Sequence, residues 1–206
     1  MSSVDVMREY LRERYGARRF VPLALILAGV GLLASPDLAR ETLASNSRTV
    51  LRGSVVAYLL VLVFRIWDDL EDRERDTQLH PGRVTGRIAT VTPLILLLAV
   101  VATLATAVVL TGPQPIMRMM ALALLTAIIS VWYGARNALT SAPAANALVV
   151  LVKYPVLASV TAPAALWDHG DGRAIRILLA LYLALCIHEA LDDPVLRRSL
   201  GRGSST

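Results

Sequence analysis

The sequence predicts an all-α membrane protein, a polytopic transmembrane helix bundle with about six spans. Three observations carry that expectation: the apolar share, the length of the apolar blocks and the placement of arginine. Of 206 residues, 55% are apolar and 18% charged, where a soluble domain carries about a quarter charged residues. The excess falls in six blocks, 20–38, 49–66, 90–111, 116–134, 144–166 and 174–191. Each approaches the roughly 20 residues that a helix needs to cross a bilayer. Soluble helices keep a polar face, and these blocks mostly lack one.

In chain order, residues 1–19 form a basic leader, MSSVDVMREYLRERYGARR. Val4, Met7, Tyr10 and Leu11 among its arginines suit an amphipathic helix at the lipid surface, and a solvated charged leader suits them equally. The first block has no small-residue cleavage site, so it reads as a retained span. Gly29 and Gly31 within it allow close helix approach. The second block runs directly into an acidic stretch. Pro93, Pro155 and Pro163 mark span starts or kinks, and Trp67, Trp132 and Trp167 sit at block ends as interfacial anchors. Cys186, the only cysteine, rules out a disulfide or a Cys-based metal site within one chain. Residues 20–198 then make the membrane domain, and 199–206 a disordered tail.

Orientation follows from arginine. With a cytoplasmic N-terminus and alternating spans, Arg8, Arg12, Arg14, Arg18, Arg19, the cluster from Arg65 to Arg87, Arg136, Arg197, Arg198 and Arg202 lie inside. Only Arg40, Arg48, Arg52, Arg118, Arg173 and Arg176 lie outside. This predicts an integral protein of the cell membrane. The net charge of +5 is accounted for by topology and anionic lipid. No aromatic-interleaved basic stripe points to nucleic acid.

Chemistry concentrates where the second block ends, in FRIWDDLEDRERDTQLHPGR (64–83). If the helix continues, Asp69, Asp72 and Asp76 share one face, and stacked carboxylates repel. Arginines or a divalent cation must compensate. Mg²⁺ suits an all-oxygen site shared with substrate phosphates; a solvated helix end paired with Arg73 and Arg75 suits it too. A second acidic stretch, CIHEALDD (186–193), ends the last block, and WDDLED (67–72) aligns with HEALDD (188–193) as an internal duplication would. Two such clusters at one membrane surface make a clamp for a metal-bridged diphosphate. Lys153, the only lysine, lies inside the fifth block, where a charge defaults to a functional role. Snorkelling to a surface is the competing account. His188 could carry protons or simply pack, and His80 reads as a loop residue.

The run Asp68-Asp69-x-x-Asp72-x-x-x-Asp76 resembles the first aspartate-rich motif, NDxxDxxxD, of the UbiA superfamily of membrane prenyltransferases. Arg65 before it and HPGR (80–83) after it resemble that family's flanks. Glu189-x-x-x-Asp193 resembles its second motif, DxxxD. WYGARNAL (132–139), with Tyr133 and Arg136, sits where the family has a YxxxK element, one position short of the expected Lys. Asp68 stands where the family has Asn, and Glu189 where it has Asp. The likeness covers about residues 18–198. Family members usually have nine helices, so this chain reads as a short, six-helix member. It is then minimal, or completes its chamber as a homo-oligomer, or has lost prenyl transfer.

The resemblance implies a UbiA-like bundle and a Mg²⁺-dependent transferase that moves an isoprenyl group from an isoprenyl diphosphate to a lipophilic, apolar or aromatic acceptor. Asp69, Asp72, Asp76, Glu189 and Asp193 would hold the metal. Arg65, Asp68, Arg75, Arg83 and Lys153 would bind the diphosphate, and Lys153, Arg65, Tyr133 and Arg136 would serve the chemistry. The rivals are a terpene cyclase of the same superfamily, a non-catalytic scaffold or lipid-binding subunit, and a transporter. Convergence discriminates among them, because an enzyme needs both acidic clusters and Lys153 around one pocket.

Overall fold

A computed structural model describes residues 3–35, 43–79, 82–88, 90–139, 148–162 and 172–192, which are helical apart from short turns and contain no strand. The all-α expectation holds. The elements are α1 (Ser3–Arg14), α2 (Ala17–Ala34), α3 (Leu43–Glu71), α4 (Arg73–Leu79), α5 (Val84–Arg87), α6 (Thr92–Leu110), α7 (Pro115–Leu139), α8 (Lys153–Thr161) and α9 (Gly172–Asp192). Asp193, His80, Pro163, Trp167 and the tail 199–206 lie outside the described residues.

Among the described residues three helical segments are long and apolar enough to cross a membrane: Ser47–Glu71, Thr92–Leu110 and Pro115–Arg136. The α1–α2 pair, bent by 69°, makes a fourth if it counts as one span. The fifth apolar block yields only the shorter helix Leu148–Thr161. Its regular winding is interrupted at Val152, three residues before Pro155, whose missing N–H and ring disturb the preceding turn. The sixth block forms α9, 21 residues long, but Arg173, Arg176 and Glu189 interrupt its apolar character.

The apolar side chains split between a core and an uncovered outer face. Leu27, Ile66, Leu94, Leu125, Ile129 and Leu157 are fully buried between helices. Met117, Met120, Leu124, Ile128 and Val131 follow helical spacing along α7 and are exposed, as are Leu96, Val100 and Leu104 along α6. Contiguous aliphatic faces of this size do not suit water. They suit lipid, and the chain is a membrane protein.

Contacts at two ends orient the elements. At one end, the last turn of α3 meets the C-terminus of α1, the last third of α7 and the first residue of α8. At the other, Arg52 of α3, Gly112 after α6, Arg118 in the first turn of α7 and Ala162 after α8 come together. Thus α3 and α7 run toward the first, ionic end, and α6 and α8 run away from it. The leader is neither a lipid-surface nor a solvated helix alone: α1 buries Val6 and Tyr10 against the bundle while Val4 stays exposed.

Small residues let α2, α3 and α8 cross closely, as is usual between helices in lipid. A Cβ on Gly31 would lie 2.5 Å from the Ala158 carbonyl oxygen, and one on Gly53 would lie 3.2 Å from both Ala28 Cβ and the Thr161 oxygen. Thr161 seals the crossing by donating to the carbonyls of Ala158 (2.8 Å) and Leu27 (3.4 Å). Gly29, the other glycine of the block, has nothing within 4 Å of a Cβ. Gly31→Leu should therefore cost roughly 1–3 kcal/mol through overpacking, whereas Gly29→Leu should be tolerated. Thermal unfolding of the two variants in detergent separates the outcomes.

Candidate functional site

The apolar winding of α3 continues past Ile66, so Trp67, Asp68 and Asp69 ride on the last turns of a span. Neighbouring residues on an α-helix point about 100° apart. Asp68 and Asp69 therefore face different partners, while Asp72, four residues on, returns to the side of Asp68. Asp68 accepts short hydrogen bonds from Tyr133 Oη and Lys153 Nζ, and all three residues are buried. Asp72 is ion-paired to Arg136 at 2.8 Å. Arg136 also donates to the Glu71 carbonyl at 3.1 Å and lies 4.8 Å from the centre of the Tyr133 ring. The pair Asp68 and Asp72, at the end of α3 and just past it, is thus matched by the i,i+3 pair Tyr133 and Arg136 on α7.

Asp69 turns the other way, to α1. It accepts from Tyr10 Oη at 2.8 Å and from Arg14 at 2.5 and 3.1 Å, and Arg65 of its own helix lies 3.3 Å away. The same short helix α1 is tied down at its edge. Glu13 accepts from the Val84 N–H at 3.0 Å, at the start of α5, and Arg87 binds Glu9 at 2.6 Å and Glu13 at 3.4 Å. The hydrogen bond that Arg87 donates to Glu9 pushes its guanidinium still further above its usual value. Burial, then the Asp69 charge, raises the Tyr10 phenol well above the usual tyrosine range.

The predicted shared face of Asp69, Asp72 and Asp76 does not form among the described side chains. Regular helix breaks at Asp72, between α3 and α4, and Asp69 and Asp72 diverge to α1 and α7. The side chains of Arg75 and Asp76, like Asp193, lie outside the described residues. Arg83 stands at the N-cap of α5. Glu189 lies on α9, half-buried; α9 packs mainly on α2 and α8, and none of the described residues forms an ion pair with Glu189.

Tyr10, Arg14, Glu9 and Glu13 were not legible as site residues. The available signal was the stripe of Val6, Tyr10 and Arg14 at i,i+4 spacing, which a basic leader disguises.

The carboxylate oxygens are of the kind that Mg²⁺ takes, but the described ones do not form a ready metal site. Both oxygens of Asp68 and of Asp69 are taken by Lys153, tyrosines and arginines. Among the described residues no three His, Cys, Asp or Glu side chains gather as metal ligands would. Of the three aspartates whose side chains are described in this stretch, Asp72 is the most accessible, its side chain 37% exposed against 3% for Asp69. Compared with protein-family models, with curated proteins and with solved structures, the chain matches none.

Two outcomes follow from this geometry. Breaking a buried ion pair by removing one partner costs roughly 3–5 kcal/mol. Lys153→Met and Asp68→Asn should each show a loss of that order, and the double variant should lose less than their sum, as read from denaturant unfolding in detergent. The second outcome concerns alkaline pH. Because the folded state holds the Tyr10 proton more tightly than the unfolded chain, its contribution to stability is full below about pH 10 and is lost above it. Tyr10→Phe has no proton to lose, so its stability should fall less steeply above pH 10.

Proposed function

We propose that the protein is a membrane transferase acting on an isoprenoid diphosphate, with six membrane crossings and a cytoplasmic N-terminus in the cell membrane. One observation carries the reading: the only lysine of the chain, buried in an apolar segment, meets the first aspartate cluster together with Tyr133 and Arg136. Paired ions buried at one end of a lipid-embedded bundle are costly, and function is the usual reason to keep them. Their resemblance to the UbiA motifs supplies the reaction class.

On this reading Arg65, Arg136 and Lys153 exchange part of their carboxylate pairing for diphosphate oxygens, each swap replacing one anionic partner by another. Those cations stabilise the charge that builds on the pyrophosphate as the C–O bond breaks. The allylic cation is then taken by a lipophilic acceptor, which loses a proton. Mg²⁺ enters through the resemblance alone. The test incubates purified protein with labelled prenyl diphosphates, with and without Mg²⁺, and measures pyrophosphate release. Release should require the metal and should drop at least about a hundredfold in Asp72→Ala. Release without acceptor, giving a cyclised hydrocarbon, would favour the terpene cyclase. Its absence with every prenyl diphosphate would favour the scaffold, a reading already served by the internal neutralisation of Asp68 and Asp69.

A further inference from the structure

At the end of the bundle remote from the acidic cluster, two arginines meet without a carboxylate among the described residues. Arg52 on α3 is about 25 Å along that helix from Asp69, at 1.5 Å per residue. Its Nη2 lies 2.7 Å from where a Cβ on Gly112 would sit, and Arg118 Nη1 lies 3.4 Å from the same point. The two guanidinium groups therefore converge over the turn between α6 and α7, in the space that the missing side chain of Gly112 leaves open. Arg48, one turn before Arg52 on the same helix, adds a further positive charge at this end.

Three electrostatic costs fall on Arg118 at once. It is 4% exposed, so its charge is largely desolvated. It stands beside the like charge of Arg52. It also occupies the first turn of α7, its N–H bonded to the Gln114 carbonyl, at the positive end of the helix dipole, where anions are favoured and cations are not. One short hydrogen bond to the Ala162 carbonyl offsets part of this. Its Nε is buried without a partner. A phosphate would offset the like-charge and dipole costs: two guanidinium forks and an orphan donor suit an anionic oxygen group near a helix N-terminus.

We propose that Arg52 and Arg118 form an anion site for a phosphate group, supplied by the headgroup of an anionic phospholipid in the leaflet at that end. The site is separate from the acidic end and does not rest on the proposed transferase activity. It places charged side chains at the rim of two spans, α3 and α7, where a headgroup phosphate lies and where basic pockets between helices hold acidic lipids.

The test follows thermal unfolding of the full chain in a neutral detergent with added phosphatidylglycerol, phosphatidylcholine or inorganic phosphate. Phosphatidylglycerol at a hundredfold excess over Kd should raise Tm by roughly 5–10 °C, with phosphatidylcholine giving little change. Arg52→Gln, at an exposed position, should abolish most of that rise while the protein still folds; Arg118→Gln should do the same if it folds. A full rise with inorganic phosphate alone would keep the anion site and assign it to a free anion. A rise of equal size in wild type and Arg52→Gln, or no rise with any of the three, would overturn the proposal.

Discussion

The contact between Asp68 on α3 and Lys153 on α8 is the constraint on which the ionic end depends. Neither charge is tolerable alone in an apolar bundle, since desolvation costs several kcal/mol per ion. Together, with Tyr133 donating to the same carboxylate, they satisfy one another and clamp α3, α7 and α8 at one depth. Asp72 and Arg136 extend the clamp one turn outward. Removing either partner of the central pair leaves the other with no water to turn to, which makes the end of the bundle a single electrostatic unit.

Asp69 shows how one helix serves two neighbours. Placed one residue after Asp68, it points to the opposite flank and recruits Tyr10 and Arg14 from α1. The basic leader is thereby drawn over the end of the bundle, and Glu9 and Glu13 fasten its other side to α5. Alternating charge runs from α1 through α3 to α7 and α8, so Asp68, Asp69 and Asp72 each have a cationic partner. A surface of this kind can exchange partners with an ionic ligand at little net change in charge, which a cluster of bare carboxylates could not.

The opposite end obeys a different rule. There the helices close through small residues, Gly31 and Gly53 against Ala158 and Thr161, and Arg52 and Arg118 meet without a carboxylate among the described residues. Packing brings Arg52 and Arg118 together over the α6–α7 turn at Gly112. Among the described residues the two ends thus differ in how charge is handled: carboxylates and cations pair with one another at the first, while Arg52 and Arg118 lie together at the second.

What the sequence by itself determined was the medium and the need for buried charges to find partners. Long apolar blocks cannot be hidden in water, so they specify lipid, and a lone lysine amid Leu and Val must have a partner. The length of the apolar blocks also announced α3, α6 and α7, whose apolar runs are free of prolines beyond the first turn. It overstated the fifth block, because Pro155 disturbs a winding that hydropathy alone cannot see. Partner choice was decided only by tertiary structure. The Asp69–Asp72–Asp76 face was a statement about one helix, but which carboxylate meets which cation depends on the helices lying against it. Asp68 goes to Lys153 across 85 positions and Asp69 to Arg14 across 55, separations at which spacing carries no information and only packing decides.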